Sequence, residues 1–100
     1  MVIGCCSIKF YLHGNNSLKG KRRVVRAIKD RLKNDFNISV AEIGDQDVWQ
    51  SLHIGISAVG SDRPYMDGLL TKVVDVIDRM SLAEIVAYKT ETLSMGRKLY

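Results

Sequence analysis

The start of the chain alternates between apolar and polar positions, which predicts a β-strand. From Val2 to His13, small or apolar side chains occupy every second position and mostly polar side chains occupy the other face. A period of two residues is typical of a strand that buries one face. Residues 14–16 read Gly-Asn-Asn, a turn sequence, because both residue types tolerate the positive φ angles that turns need.

The next segment has its apolar residues at helical spacing. Ser17 stands where an N-cap residue belongs, since its hydroxyl can accept a hydrogen bond from a free amide of the first turn. The pattern predicts the first helix from Leu18 to Phe36. Its apolar residues fall on one stripe: Leu18, Val25, Ile28, Leu32 and Phe36.

The rest of the chain predicts two strands, a second helix and a fourth strand. Alternation favours strands over Ile38–Ile43 and Val48–Val59, separated by a turn. A second amphipathic helix begins at Ser61–Pro64 and carries apolar residues at helical spacing as far as Met80. After it, Glu84–Thr90 is predicted as the fourth strand.

The order strand, helix, strand, strand, helix, strand predicts a ferredoxin-like α+β fold. In this βαββαβ arrangement two helices cover one face of a four-stranded antiparallel sheet, with strands one and three at its centre. Residues 93–100 have no periodic pattern. We therefore expect a single ferredoxin-like domain over residues 1–92 and a loose C-terminal tail over residues 93–100. A length of 100 residues suits one domain.

The composition excludes several classes of protein. It is 46% hydrophobic and 26% charged, as in ordinary globular domains. No apolar run approaches the roughly 18 residues that span a bilayer, and the first residues do not read as a signal peptide. The adjacent Cys5 and Cys6 point to opposite faces of a strand, so they neither share a metal nor form an easy disulfide. Reduced thiols without a signal peptide predict a cytoplasmic protein without membrane association.

Positive charge is concentrated in the first helix. Residues 17–36 carry eight basic and two acidic residues, a net charge of +6, while the other eighty residues sum to −2. A local excess of this kind favours a polyanionic partner more than an evenly basic surface does. A helix face that is simply solvated is the alternative interpretation. The candidate nucleic-acid contacts are Lys19, Lys21, Arg22, Arg23, Arg26, Lys29 and Lys33.

The uncovered face of the predicted sheet is the second candidate surface. Alternation places polar and aromatic side chains of strands one and three on it. Such a face can stack on unpaired bases, pack against a second copy in a homodimer, or be covered locally. Strand three lacks the aromatic motif of RNA-recognition domains. The candidate residues for stacking or for an interface are Lys9, Tyr11, Trp49, Gln50 and His53.

No catalytic or metal-binding set stands out in the sequence. His13 and His53 could approach each other across the central strand pair, yet zinc usually takes three or four protein ligands and no third is near. The chain has no Gly-rich phosphate loop with a lysine and no G-x-S-x-G motif. The loop after strand one lacks the arginine that acylphosphatases of this topology need. We therefore expect no enzyme activity, no cofactor and no metal.

Three motifs in order resemble the YlxP-like family of small bacterial proteins. They are Ser17-Leu18-Lys19 with Lys21–Val25, then Phe36–Glu42, then Asp47-x-Trp49-Gln50. The resemblance extends to residue 91 and implies a ferredoxin-like domain of undetermined biochemical function. Genes of family members often lie near those of translation initiation and ribosome maturation factors, which implies an RNA or ribosome partner. Gly20 departs from the pattern, since the family usually has a glutamate there that would complete a capping box.

The sequence therefore predicts a non-catalytic RNA- or ribosome-binding domain that uses its first helix. The helix cations would meet phosphates, and Tyr11 and Trp49 would stack on bases. The helix and the open sheet face lie on opposite sides of the sheet, so one short RNA has difficulty using both, and the helix is favoured. The alternative is a homo-oligomeric interaction module that associates through the open face and has no nucleic-acid role. A third hypothesis is a small-ligand site at a dimer interface.

Overall fold

The computed structural model describes residues 1–96 and contains the six elements in the predicted order. The four strands form one antiparallel sheet in the order β2-β3-β1-β4. Both helices cover the same face of this sheet. The predicted ferredoxin-like fold is confirmed, including the central positions of strands one and three. The elements are β1 (Val2–Tyr11), α1 (Leu18–Asp35), β2 (Ser39–Gly44), β3 (Ser51–Gly60), α2 (Arg63–Met80) and β4 (Glu84–Ser94).

The hydrophobic core lies between the sheet and the two helices. Every second residue along most of β1 and β3 is buried, and these side chains meet the apolar stripes of α1 and α2. Fully burying one large apolar side chain stabilises the fold by about 1.5–3 kcal/mol. The largest fully buried side chains are Ile8, Phe10, Ile28, Leu32, Leu52, Ile54, Met66, Leu70 and Val73.

Both helices begin at side-chain caps. Ser17 accepts a hydrogen bond from the Gly20 amide at 3.0 Å, so the predicted N-cap of α1 is confirmed. Asp62 does the same for α2 by accepting from the Tyr65 amide at 2.8 Å, with Pro64 in the first turn. Each cap satisfies an amide that has no partner within its helix, which is worth about 1 kcal/mol. Neither helix of the described residues is long and apolar enough to cross a membrane.

The fourth strand extends further than its pattern predicts. β4 continues to Ser94, which pairs with Val2 at the start of β1. The amide of Met95 then donates to the carbonyl of Met1 at 2.8 Å. Residues 93 and 94 therefore belong to the sheet and not to a tail, because the central strand offers pairing partners along its full length. The last part of the predicted tail, residues 97–100, lies outside the described residues.

The third strand begins later than predicted. β3 starts at Ser51, whereas residues 45–50 form a connection that we call the β2–β3 loop. The amide of Val48 donates to the carbonyl of Asp45 at 3.0 Å, which closes a turn at the beginning of this loop. Asp45 has a left-handed φ of 56°, a conformation that aspartate tolerates better than most residues. The loop reverses the chain at the end of the sheet that lies below the first turn of α1.

Candidate nucleic-acid interface

Six cations project from the outer side of α1, and we call them the basic face: Lys19, Arg22, Arg23, Arg26, Lys29 and Lys33. Lys29 is half-buried and the other five are exposed. Within residues 1–96, none of the six forms an ion pair with a carboxylate. Positive charges at positions three and four apart repel each other and weaken an isolated helix by a few tenths of a kcal/mol per pair. The basic face therefore lowers the stability of the helix, and no ion pair within residues 1–96 offsets this cost.

A groove runs between α1 and the edge strand β2. Its volume is about 430 Å³, and Glu42 of β2 and Gln46 of the β2–β3 loop line it together with the helix. The groove is open to solvent and extends along the helix from Leu18 to Lys33. Four members of the basic face line it: Arg22, Arg26, Lys29 and Lys33.

Lys21 does not belong to the basic face, which corrects the sequence prediction. It is only 2% exposed, and its Nζ lies 3.2 Å from Glu42 Oε2. The same nitrogen donates to the carbonyl of Val48 at 2.9 Å and to the carbonyl of Asp45. With this many partners inside the protein, Lys21 is not available to a phosphate. It anchors the β2–β3 loop to the helix instead.

The burial of Lys21 has a signal in the sequence that counting charges misses. Positions 21, 25, 28 and 32 repeat at the spacing of one helix stripe, and the other three are apolar. A lysine on this stripe must direct its ammonium group toward polar partners at the edge of the core. The loop carbonyls and Glu42 are those partners.

Trp49 and Gln50 lie in the β2–β3 loop and not on strand three, which corrects a second prediction. The carbonyl of Gln50 accepts from the Leu12 amide at 2.8 Å. The carbonyl of Trp49 accepts from Asn15 Nδ2 at 2.5 Å, and the same nitrogen donates to the Ser17 carbonyl at 2.9 Å. One amide group thus links Trp49 to the N-cap of α1. The Trp49 side chain is 51% exposed at this end of the molecule.

Asp45 strengthens the start of the β2–β3 loop with its side chain. Ser51 Oγ donates to Asp45 Oδ2 at 2.6 Å, and Lys9 Nζ lies 3.8 Å from the same oxygen. The hydrogen bond from Ser51, and after it the charge of Lys9, lowers the pKa of Asp45 below its ordinary value. Polar side chains therefore hold the loop from both faces of the sheet, Lys21 on one and Ser51 on the other.

The open sheet face carries Lys9, Tyr11 and His53, as predicted. His53 Nε2 lies 2.7 Å from Ser7 Oγ, whereas His13 Nε2 lies 2.5 Å from Glu84 Oε1. The two histidines therefore have separate partners and form no shared site. No cluster of three or more potential metal ligands occurs among residues 1–96. Tyr11 is 37% exposed, and its ring meets that of His13 edge-on at a centroid distance of 4.5 Å.

Several apolar side chains are also exposed on the open face. Ile43 lies over Gly55, beside a shallow depression of about 300 Å³ that Cys5 also lines. Val59 and Leu93 are 63% and 54% exposed. Cys6, on the opposite side of β1 from Cys5, is buried in the core, and this burial raises the pKa of its thiol to about 11. A thiol in that state is an inert apolar group and not a nucleophile.

The sequence of this chain matches a family of proteins of unknown function. A family model described as "Protein of unknown function (DUF503)" matches residues 3–90. The "Uncharacterized protein YlxP" of Bacillus subtilis (strain 168) is 38% identical over 90 residues, which are 90% of this chain and 98% of that protein.

Two solved structures have a similar backbone. A Deinococcus radiodurans protein described as an antibiotic biosynthesis monooxygenase has a TM-score of 0.55 at 14% identity, over 100% of this chain and 97% of that one. The de novo designed protein Foldit4 has a TM-score of 0.51 at 16% identity, over 93% of this chain and 96% of that one. At these identities the likeness concerns the fold alone, because one fold hosts many unrelated functions.

Proposed function

Since the chain belongs to the DUF503 family of proteins of unknown function, as its resemblance to the YlxP-like proteins predicts, we propose its function from its own surface. It is a non-catalytic domain that binds RNA, free or exposed on the ribosome, by holding the phosphate backbone on the basic face of α1. The observation that carries this proposal is a row of six cations that have no carboxylate partner within residues 1–96.

The spacing of the cations suits a phosphate backbone. Residues three or four apart on a helix lie about one turn, or about 5.4 Å, apart along the axis, which is similar to the separation of successive phosphates in an extended strand. Lysine and arginine that neutralise phosphates release condensed counterions, so binding of this kind depends strongly on salt and little on base sequence. The groove beside α1 adds a concave wall that keeps the strand next to the helix.

Fluorescence anisotropy of labelled RNA at about 50 mM and about 200 mM salt tests the proposal. With about six phosphate contacts, the affinity should fall about a thousandfold between the two salt concentrations. Replacing Arg22 and Arg26 together by alanine should weaken binding to every RNA sequence. The slope of log affinity against log salt should become shallower by about two, since two contacts are lost.

A matched control removes the same charge from the other helix. Lys72→Ala with Arg79→Ala lowers the net charge by two, as the α1 double variant does, but leaves the basic face intact. It should retain the parent's salt slope and nearly all of its affinity. Equal binding by the parent and by the Arg22→Ala, Arg26→Ala variant contradicts the proposal, and so does the absence of RNA binding at the lower salt concentration.

The alternative function, a homo-oligomeric module without a nucleic-acid role, is favoured by one observation. Val59 and Leu93 both pair with Ile3 of β1 and expose more than half of their surface on the open sheet face. A monomer leaves this apolar area in water. Val59→Lys should convert a dimer into a monomer in light scattering, and a parent that is monomeric at high micromolar concentration contradicts this alternative. Trp49 lies in the β2–β3 loop and is not part of this apolar area.

A further inference from the structure

The backbone of Trp49 is tied to the N-terminal end of α1, the helix that carries the basic face, and this position has a functional consequence. We infer that Trp49 is the base-stacking residue of the RNA site and that the site therefore selects single-stranded over double-stranded RNA. This inference rests on the proposed function and names the class of RNA that the same site takes. It assigns the stacking role to a loop that is held at the end of α1 and not to the open sheet face.

The β2–β3 loop is continuous with the groove beside α1. Gln46 lines the groove, and Trp49 follows three residues later in the same loop. At the other end of the loop, Asn15 bridges the carbonyls of Trp49 and of the helix cap Ser17. The backbone of Trp49 is therefore held at the N-terminal end of α1, where a strand lying along the helix would leave the groove.

The loop holds an exposed aromatic side chain on a fixed backbone. Lys21 and Asn15 together donate hydrogen bonds to three loop carbonyls, those of Asp45, Val48 and Trp49. The Trp49 side chain makes none of these contacts and is half exposed. A large apolar ring presented on an anchored loop loses little conformational freedom when it binds, which is the property that a stacking platform requires.

Single-stranded RNA provides what both parts of this surface recognise. Its phosphates fit the basic face, and its unpaired bases have free ring faces that stack on aromatic side chains without regard to sequence. In a duplex each base is already stacked between its neighbours, so a duplex uses only the cations. Tyr11 does not take part, since it lies on the open sheet face, across the sheet from α1.

The test uses the fact that Trp49 is the single tryptophan of the chain. Intrinsic fluorescence of the parent is followed while unlabelled oligoadenylate of about ten nucleotides is added, a length within the site size of single-strand binders. The same titration is repeated with the duplex that this strand forms with oligouridylate. We expect the single strand to quench the tryptophan and the duplex to bind with little quenching.

Variants then separate stacking from folding. Trp49→Ala should weaken single-strand binding about tenfold or more and leave duplex binding unchanged. Trp49→Phe, which keeps an aromatic ring, should recover most of the loss. Val48→Ala is the matched control, because Val48 is 48% exposed in the same loop and should leave both affinities unchanged.

Each outcome supports or overturns the inference. A single strand that binds without changing the tryptophan fluorescence overturns it, as does a Trp49→Ala variant that loses single-strand and duplex binding equally. In either case the proposed function stands if the Arg22→Ala, Arg26→Ala variant still loses affinity. If neither RNA binds, the proposed function itself has failed. The quenching measurement needs no variant, so it decides even if Trp49→Ala does not fold.

Discussion

The two helices of this domain have the same packing role and very different outer surfaces. Each is 18 residues long, begins at a side-chain cap and buries one side against the same sheet. Within these bounds α1 carries eight basic and two acidic residues, whereas α2 carries three of each. The core constrains only the buried side of a helix. Packing in the core therefore does not explain the contrast between the outer sides.

The grooves beside the two helices differ in the same way. The groove between α1 and β2, about 430 Å³, has five cations and two acids among its ten lining residues. The depression between α2 and β4, about 530 Å³, has three acids and no cation: Asp67, Asp75 and Asp78. On α2 the Asp75 carboxylate also pairs with Arg79 at 3.0 Å. We therefore expect a polyanion to be attracted to the first edge of the molecule and repelled from the second, so that the larger cavity is not the better candidate for the proposed RNA site.

The largest expected effect on stability comes from replacing Lys21, the buried lysine of α1. Lys21→Met should lower the free energy of unfolding by about 3 kcal/mol, because it leaves two loop carbonyls without their donor and the Glu42 carboxylate without its opposite charge. The Glu42 side chain keeps 25% exposure, which places the loss toward the lower end of the range for buried pairs. Urea unfolding followed by circular dichroism measures it.

The control for Lys21 is the exposed Lys72 of α2. Lys72→Met should change the free energy of unfolding by less than about 0.5 kcal/mol, as surface substitutions usually do. The double variant Lys21→Met with Glu42→Gln should recover part of the loss, since it removes the unpaired charge. Equal effects of Lys21→Met and Lys72→Met would mean that Lys21 is not the anchor of the loop.

The second effect compares a glycine in each helix. A Cβ at Gly20 would collide with Asn15 Oδ1, whereas nothing lies within 4 Å of a Cβ at Gly68. Gly68→Ala should therefore stabilise the protein by about 0.5–1 kcal/mol through helix propensity. Gly20→Ala should destabilise it by about 1 kcal/mol, because Asn15 must give up its hydrogen bonds. Urea midpoints of the two variants that move in the same direction contradict this comparison.

The third effect measures the stability that the basic face costs. Arg26→Glu replaces repulsions with Arg22, Arg23 and Lys29 by attractions, so it should raise the free energy of unfolding by about 0.5 kcal/mol while it abolishes most RNA binding. A more stable variant with weaker binding identifies a surface kept for binding. On α2 the reverse change, Asp75→Lys, should lower stability by a similar small amount, since it breaks the pair with Arg79.

The smallest effect concerns the pH dependence of the β2–β3 loop. Because the pKa of Asp45 is lowered from its ordinary value of 3.8, its ionised form stabilises the fold above that pH, and this contribution is lost as the pH falls through the folded-state pKa. Asparagine at this position keeps the left-handed turn but cannot ionise. The gap in urea midpoint between the parent and Asp45→Asn should narrow from about pH 5 to about pH 3. A gap that stays constant contradicts the role of the carboxylate.

The sequence predicts the fold well because the information is periodic. Alternation in β1 and the helical stripe of α1 each follow from which residues meet the core, and both are confirmed by the burial pattern. The same alternation predicts that Trp49 lies on strand three, and this prediction is wrong. Val48 and Trp49 continue the alternation of the strand that follows, but Asn15 and Lys21 hold them in a loop from positions 34 and 27 residues away in the chain. A local pattern does not contain such contacts.

The sequence predicts which cations the first helix carries, but it does not predict which of them are exposed in the candidate site. Lys21 and the six cations of the basic face look alike in a count of charge, and only the stripe of apolar residues on which Lys21 lies distinguishes it. The end of β4 is a similar case. Nothing periodic marks Ser94 as part of a strand, and its place follows from the length of its partner β1.

The side chain of Asn15 occupies the space that a side chain at position 20 would need, so these two positions are epistatic. A side chain at position 20 is compatible with the fold only if position 15 releases the space over the first helical turn, and with it the bridge to Trp49. Among YlxP-like proteins, a glutamate at the position of Gly20 and an asparagine at that of Asn15 should therefore seldom occur together. Transplanting the helix start of a relative into this chain should succeed only when the preceding turn is transplanted with it.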